Sequence, residues 1–258
     1  MKSFIKVVLM VFFISIFISC KKDEKSDGNQ SSTNTSGTLR VKFHPFILSD
    51  SLVFNKNYLN ANGDTFNVNM LKYYVSNITV TKSDNSKHSI TGSYYLVDHN
   101  TFMEDEFVIN GIPEGNYKEI TFLLGVDSSS NVSGAQAGDL DPAKGMFWDW
   151  NSGYIMSRLE GYSPASTAIG KKIIFHVGGF IRPNISMRTI TVSFNGNTAS
   201  INTSKTPTLN IKTDVSEWFK TPNTINFSVI NTVMMPGANS NDIADNYTDA
   251  FTFMSIQN

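Results

Sequence analysis

The sequence predicts an all-β fold: a single antiparallel β-sandwich domain with long loops and one or two short helical turns. Short β-branched and aromatic runs recur along the chain, punctuated by Asn, Gly, Ser and Pro. No long segment keeps a 3.6-residue apolar period. Strands that follow one another without intervening helices are the pattern of sheet packed on sheet.

Taken from the front, residues 1–19 read as a lipoprotein signal peptide. Lys2 and Lys6 precede the apolar run "VVLMVFFISIFIS", which is too short and wrongly flanked for a spanning helix. It ends at Cys20, the only cysteine, where a bacterial lipoprotein signal places its lipidated residue; Phe17 stands where Leu is usual. A lipid there anchors a chain to a membrane without spanning it. Residues 20–37 form a polar tether, "KKDEKSDGNQSSTNTSG" holding no large apolar side chain. The acidic pair Asp23-Glu24 resembles a surface-export signal, so the expected location is the outer membrane or cell surface, with the periplasm as alternative.

The globular domain is expected over 38–258. In "TLRVKF" (38–43), Leu39, Val41 and Phe43 alternate with Arg40 and Lys42, as in a strand buried on one face. "MLKYYVSNITVTK" (70–82) is long and mixed, and "SYYLVDH" (93–99) and "EFVIN" (106–110) follow. Past the turn signal Pro113-Glu114-Gly115 come "YKEITFLLGV" (117–126), "YIMSRLEGY" (154–162), "KKIIFHVGGF" (171–180), "MRTITVSF" (187–194), "TLNIKTDV" (208–215) and "TINFSVI" (224–230). Asn62-Gly63 and Asn195-Gly196 are hairpin-favouring pairs. "VSEWFK" (215–220) suits one helical turn and "NDIADNYTDAF" (241–251) a short helix. The longest irregular stretch, 127–150, ends in Trp148-Asp149-Trp150 and is expected to be ordered.

Composition removes several functions. A formal net charge of −1 with 17% charged residues leaves no electrostatic footprint for nucleic acid. Without a cysteine beyond Cys20, disulfides and thiolate metal sites are unavailable to the domain. No nucleophile elbow, zinc-protease motif, phosphate-binding glycine loop or dinucleotide fingerprint occurs, so the chain is not expected to be an enzyme.

The order "MLKYYVSNI", "YYLVDHN", "LLGVDSSSNVSG…LDPAKGMFWDWNSGYIMSRLEG" and "FHVGGF" resembles the MbnP-like family of methanobactin-associated copper proteins. Its most specific piece is Met146-Phe147-Trp148-x-Trp150-x-x-Gly153-Tyr154. The resemblance implies a secreted or surface β-sandwich that holds one copper ion through histidines and an oxidised tryptophan, with a secreted di-haem peroxidase-like partner as oxidant. One departure bears on the metal. The modified tryptophan lies in a Trp-x-His arrangement, whereas Trp148 and Trp150 are followed at the second position by Trp150 and Ser152.

Copper wants imidazole or soft ligands that converge, and the chain has four histidines. His176, in the apolar "IIFHVGGF", is the first candidate ligand, and Gly178-Gly179 beside it permit close approach of another group. His44, ending the first strand, and His99, beside an orienting Asp98, complete the expected set; His88 is discounted as a loop residue. A core or solvated role is the competing reading for each. Trp148, Trp150 and Tyr154 are either packing beneath the long loop or the wall of a binding surface, for which a glycan or a protein is the partner. The methionines, including the adjacent pair Met234-Met235, are expected to fill core. Asp127, Asp139 and Asp141 crowd one loop but match no calcium-binding spacing, so calcium is disfavoured. The leading expectation is a lipid-anchored copper-handling protein, and the alternative a metal-free surface binding module.

Overall fold

The computed structural model describes residues 35–101, 105–150 and 153–258. The expected signal peptide, Cys20 and most of the expected tether lie outside the described residues. Ten strands of six residues or more make the domain: β1 (Ser36–Ile47), β2 (Thr65–Lys82), β3 (Lys87–Asp98), β4 (Glu106–Pro113), β5 (Gly115–Leu124), β6 (Gly153–Tyr162), β7 (Lys172–Gly178), β8 (Arg188–Ser193), β9 (Thr208–Asp214) and β10 (Phe251–Gln257). The all-β class therefore holds. Ser36 and Gly37, assigned to the tether, already belong to β1.

The smaller sheet runs β10-β9-β1, with β4 on the far edge of β1. The larger is organised by β2. Residues 72–81 of β2 pair with β3 along one edge, while the other edge is shared: residues 67–73 pair with β6 and residues 75–82 with β5. β7 extends the sheet beyond β6, and β8 beyond β5. Inward side chains from both sheets meet in one core. Phe43 of β1 makes edge-to-face contacts with Tyr73 of β2 at 5.8 Å and Phe122 of β5 at 6.0 Å between ring centroids.

The mixed pattern of β2 has a physical cause. Its core residues are Phe66 and Val68, then Leu71, Tyr73 and Val75, then Ile78 and Val80, so the alternation changes phase twice. Pairing shifts register at both places, between Val68 and Met70 and again after Ser76, where Asn77 takes a left-handed φ of 49°. An extra residue at each bulge returns the apolar set to the core face.

Four expectations are corrected. Not every pair is antiparallel: β1 runs parallel to β9, and Thr232–Val233 parallel to β7. Residues 224–230 are not a strand, because Asn223 and Asn226 occupy the local backbone: Asn226 Oδ1 accepts from Ser228 N at 2.9 Å, and Asn223 N is held by Asn246 at 2.7 Å. The C-terminal helix, Ala238–Asn246, ends before Phe251, which opens β10. Asn195-Gly196 makes no hairpin; the strands on either side of it, β8 and Ala199–Ile201, both pair with β5.

Candidate functional site

The outer face of the larger sheet is covered by residues 127–150. Tyr74, Leu96, Val126, Tyr154, Ile155 and Met156 of the sheet side and Leu140, Met146 and Trp148 of the cover form a second buried cluster between them. Asp127 caps a short helix, α1 (Ser128–Val132), by accepting from Ser130 N at 3.0 Å, and Tyr94 donates its hydroxyl to the same carboxylate at 2.5 Å. Asn131 ties cover to sheet: its amide donates to Val126 O at 2.7 Å and its oxygen accepts from Tyr154 N at 2.8 Å. Asp139 accepts from Leu96 N at 3.1 Å and from Lys144 at 2.5 Å, and Asp141 accepts from Ala143 N at 2.9 Å. All three aspartates thus fasten the loop, which is ordered as expected.

The three aromatics of the expected wall separate. Tyr154 is buried, its hydroxyl donating to Leu140 O at 2.9 Å. Trp148 is 4% exposed and packs on Gly178, where a side chain would leave it no room. Trp150 is 61% exposed, although its ring centroid lies only 5.6 Å from that of Trp148. The strand ends at Trp148 and Asp149-Trp150 form a turn, which brings the second ring over the first, one as a plug and the other above it. Trp150 forms one wall of a groove of about 500 Å³, whose opposite wall is the segment Thr232–Ser240, including the start of α2 (Ala238–Asn246). The Met234-Met235 expectation is corrected here. These residues are 40% and 60% exposed at the groove and fill no core, because the pairing with β7 ends at Val233, whose side chain takes the inward position just before them.

The histidines lie in different surroundings. His176 is buried on the outer face, and its Nε2 donates to Glu160 Oε1 at 2.8 Å. Arg158 donates Nε to the same oxygen at 2.8 Å and Nη1 to Gly145 O at 2.7 Å, coupling the sheet to the aromatic segment. The hydrogen bond from His176, seconded by Arg158, holds the Glu160 carboxyl down at about 2. His99 faces the opposite way, its Nε2 3.1 Å from the Tyr73 hydroxyl, which also meets Thr213 Oγ1 at 3.0 Å. Burial pushes the His99 imidazole down to about 3, and the charge of His44 acts in the same direction. Asp98 does not orient His99, as had been expected; it pairs with Lys72 at 2.8 Å. His44, half-buried on the smaller sheet, meets Asn210 Oδ1 at 2.8 Å. His88 lies in β3, opposite Val80.

Register measures the separation. His176 pairs with Arg158, Arg158 with Lys72, and Lys72 with Asp98. Three steps of ~4.8 Å put His176 roughly 14 Å from the backbone that carries His99, whose side chain points to the other face.

Residues 36–235 match the family described as MbnP. The chain belongs to the MbnP family. Among solved structures, MbnP from Methylosinus trichosporium is similar in fold, with a TM-score of 0.54 and 13% identity over 79% of this chain and 83% of that one. No curated protein matches the chain.

The copper implied by the MbnP resemblance needs ligands at a common point, with metal–nitrogen bonds of about 2 Å. Among the described residues, no group of three or more His, Cys, Asp and Glu side chains is placed to hold a metal ion. The fold does not gather His176, His44 and His99; it brings His44 and His99 within electrostatic range of each other and leaves His176 with Glu160. Sequence reasoning missed the Thr232–Ser240 wall of the groove. Its signal was present in "VMMPG" (233–237), a run of apolar residues stopped by Pro236 and Gly237.

Proposed function

We propose that this MbnP-family chain is a non-catalytic binding protein, carried at the outer membrane or cell surface by a lipid on Cys20, whose contact surface is the groove beneath Trp150. The observation that carries this reading is the exposure of Trp150 directly above its buried neighbour Trp148. A large aromatic held by a packed base and left open to water is the arrangement of an interface anchor. Thioether side chains opposite it adapt to varied apolar shapes. A protein segment suits this lining better than a sugar, whose hydroxyls need more hydrogen-bond partners than an apolar groove provides.

The test is binding of the full chain to extracellular proteins and to a glycan array, with Trp150→Ala beside it. A fall of at least about tenfold in affinity is expected from the loss of an anchor, and equal binding by the variant would remove the groove from consideration. Cys20→Ser should move the protein from the membrane fraction to the soluble one.

A second reading, copper handling, is favoured by one observation: burial keeps His99 neutral, the form that ligates metal, and His44 lies nearby. Under it, copper binding is lost in His99→Ala and kept in His176→Ala. Equal titration of both variants would count against this assignment of ligands.

A further inference from the structure

We infer that Met234 and Met235 are a modification site: an oxidant of the peroxide class converts their thioethers to sulfoxides and closes the groove to apolar partners. The consequence for binding rests on the groove reading above; the reactivity of the two sulfurs does not.

Exposure separates the methionines. Met235 is 60% and Met234 40% exposed, whereas Met146 and Met156 are fully buried. The two buried residues belong to the cluster packed between the loop cover and the sheet, and the Met156 sulfur already accepts a hydrogen bond from Val126 N at 3.2 Å. Met254, on β10 of the smaller sheet, is 49% exposed and serves as an internal reference outside the groove.

The backbone explains why an adjacent pair stands open. In an extended chain neighbouring side chains take opposite faces, so one of two adjacent methionines would ordinarily turn to the core. Here Val233 takes the inward position, and the ladder with β7 ends there. Pro236 then lies against Gly179, where an added β-carbon would sit 3.3 Å from the proline ring. Both thioethers are thereby left at the groove.

The chemistry balances without any further group. The thioether sulfur donates an electron pair to one peroxide oxygen, the O–O bond breaks, and that oxygen stays on sulfur while the other leaves as water. Sulfur is oxidised by two electrons and the peroxide is reduced. The product is a polar, chiral side chain in place of a flexible apolar one, and a sulfoxide reductase reverses it. A sulfoxide dipole in an apolar groove holds water that a docking apolar surface must strip away.

The experiment treats the full chain with dilute hydrogen peroxide and follows it by peptide mass mapping. Binding of an anilinonaphthalene sulfonate dye, a probe of exposed apolar surface, is measured in parallel. Met234, Met235 and Met254 should each gain one oxygen well before Met146 and Met156. Dye affinity should fall about tenfold, a change of the size expected for leaving a polar group poorly paired, and recover after treatment with methionine sulfoxide reductase. In a Met234→Leu/Met235→Leu variant, whatever its own dye affinity, that affinity should not change on peroxide treatment. Should that variant not fold, reversal by the reductase on the unsubstituted protein decides the point. Oxidation of Met146 and Met156 as fast as of the pair, or full oxidation of the pair with dye binding unchanged, overturns the inference. If the unoxidised protein binds no dye and Trp150→Ala changes nothing, the groove reading fails by itself, and the mapping still reports on the sulfurs.

Discussion

The six-membered ring of Trp148 lies over Gly178 so closely that a β-carbon on the glycine would sit 2.6 Å from Trp148 Cζ3. The glycine is there to receive the indole. Gly178→Ala should overpack the outer cluster and destabilise the fold by about 1–3 kcal/mol, measured by urea unfolding. At Gly161 the clash is with backbone, 1.9 Å from Asn67 O, in the pairing of β6 with β2. Because a strand yields less than a side chain, Gly161→Ala should cost more. Gly237→Ala, with open space around it, should cost little.

Trp218 and Ser157 make a buried polar pair across the core, Nε1 donating to Oγ at 3.0 Å. Ser157→Ala leaves an indole N–H without a partner in a dry interior and should lower stability by about 1–3 kcal/mol. Ser157→Thr, which keeps the acceptor, should lose less if the extra methyl is accommodated; thermal unfolding of both variants checks the order.

His99 is an acid-sensitive element of the fold. Its folded-state value, about 3, lies below the unfolded one near 6.5, so between those limits the unfolded chain binds a proton that the folded chain does not. Stability contributed in this way is complete above about pH 6.5 and is lost as pH falls toward 3. His99→Gln, which retains a hydrogen-bond partner for Tyr73, should show a smaller drop in urea midpoint between pH 7 and pH 5 than the parent.

Glu160 acts over a lower window. Its carboxyl is held at about 2 by His176 and Arg158, against about 4.3 unfolded, so its contribution is present above pH 4.3 and disappears as pH falls toward 2. Glu160→Gln should flatten the acid limb of the stability profile there. An unchanged acid limb would show that the pairing with His176 adds nothing to the fold.

Trp150 should be dispensable for folding. It is mostly exposed and its neighbour Trp148 carries the packing, so Trp150→Ala should change stability by no more than about 0.5 kcal/mol. The variant should also lose most of the acrylamide-quenchable fluorescence, since Trp148 and Trp218 are buried.

The sequence by itself determined the class and the faces. Alternation in "TLRVKF" placed Leu39, Val41 and Phe43 inward, as found, and the motif around Trp148 and Trp150 pointed to the family that the match over residues 36–235 bears out. The two indoles of that motif lie side by side through a turn, not through strand alternation. Only the tertiary structure decided that one is buried and the other open, because burial depends on what arrives from elsewhere in the chain: Gly178 beneath Trp148, and the Thr232–Ser240 segment across from Trp150. The histidines follow the same rule. A period of two tells which face of its strand His176 or His99 occupies, and pairing between distant segments tells how many strands lie between them. That pairing is set by register and bulges along β2, read in the sequence only as a long mixed stretch over 70–82, whose two phase changes appear when β3, β5 and β6 are laid against it.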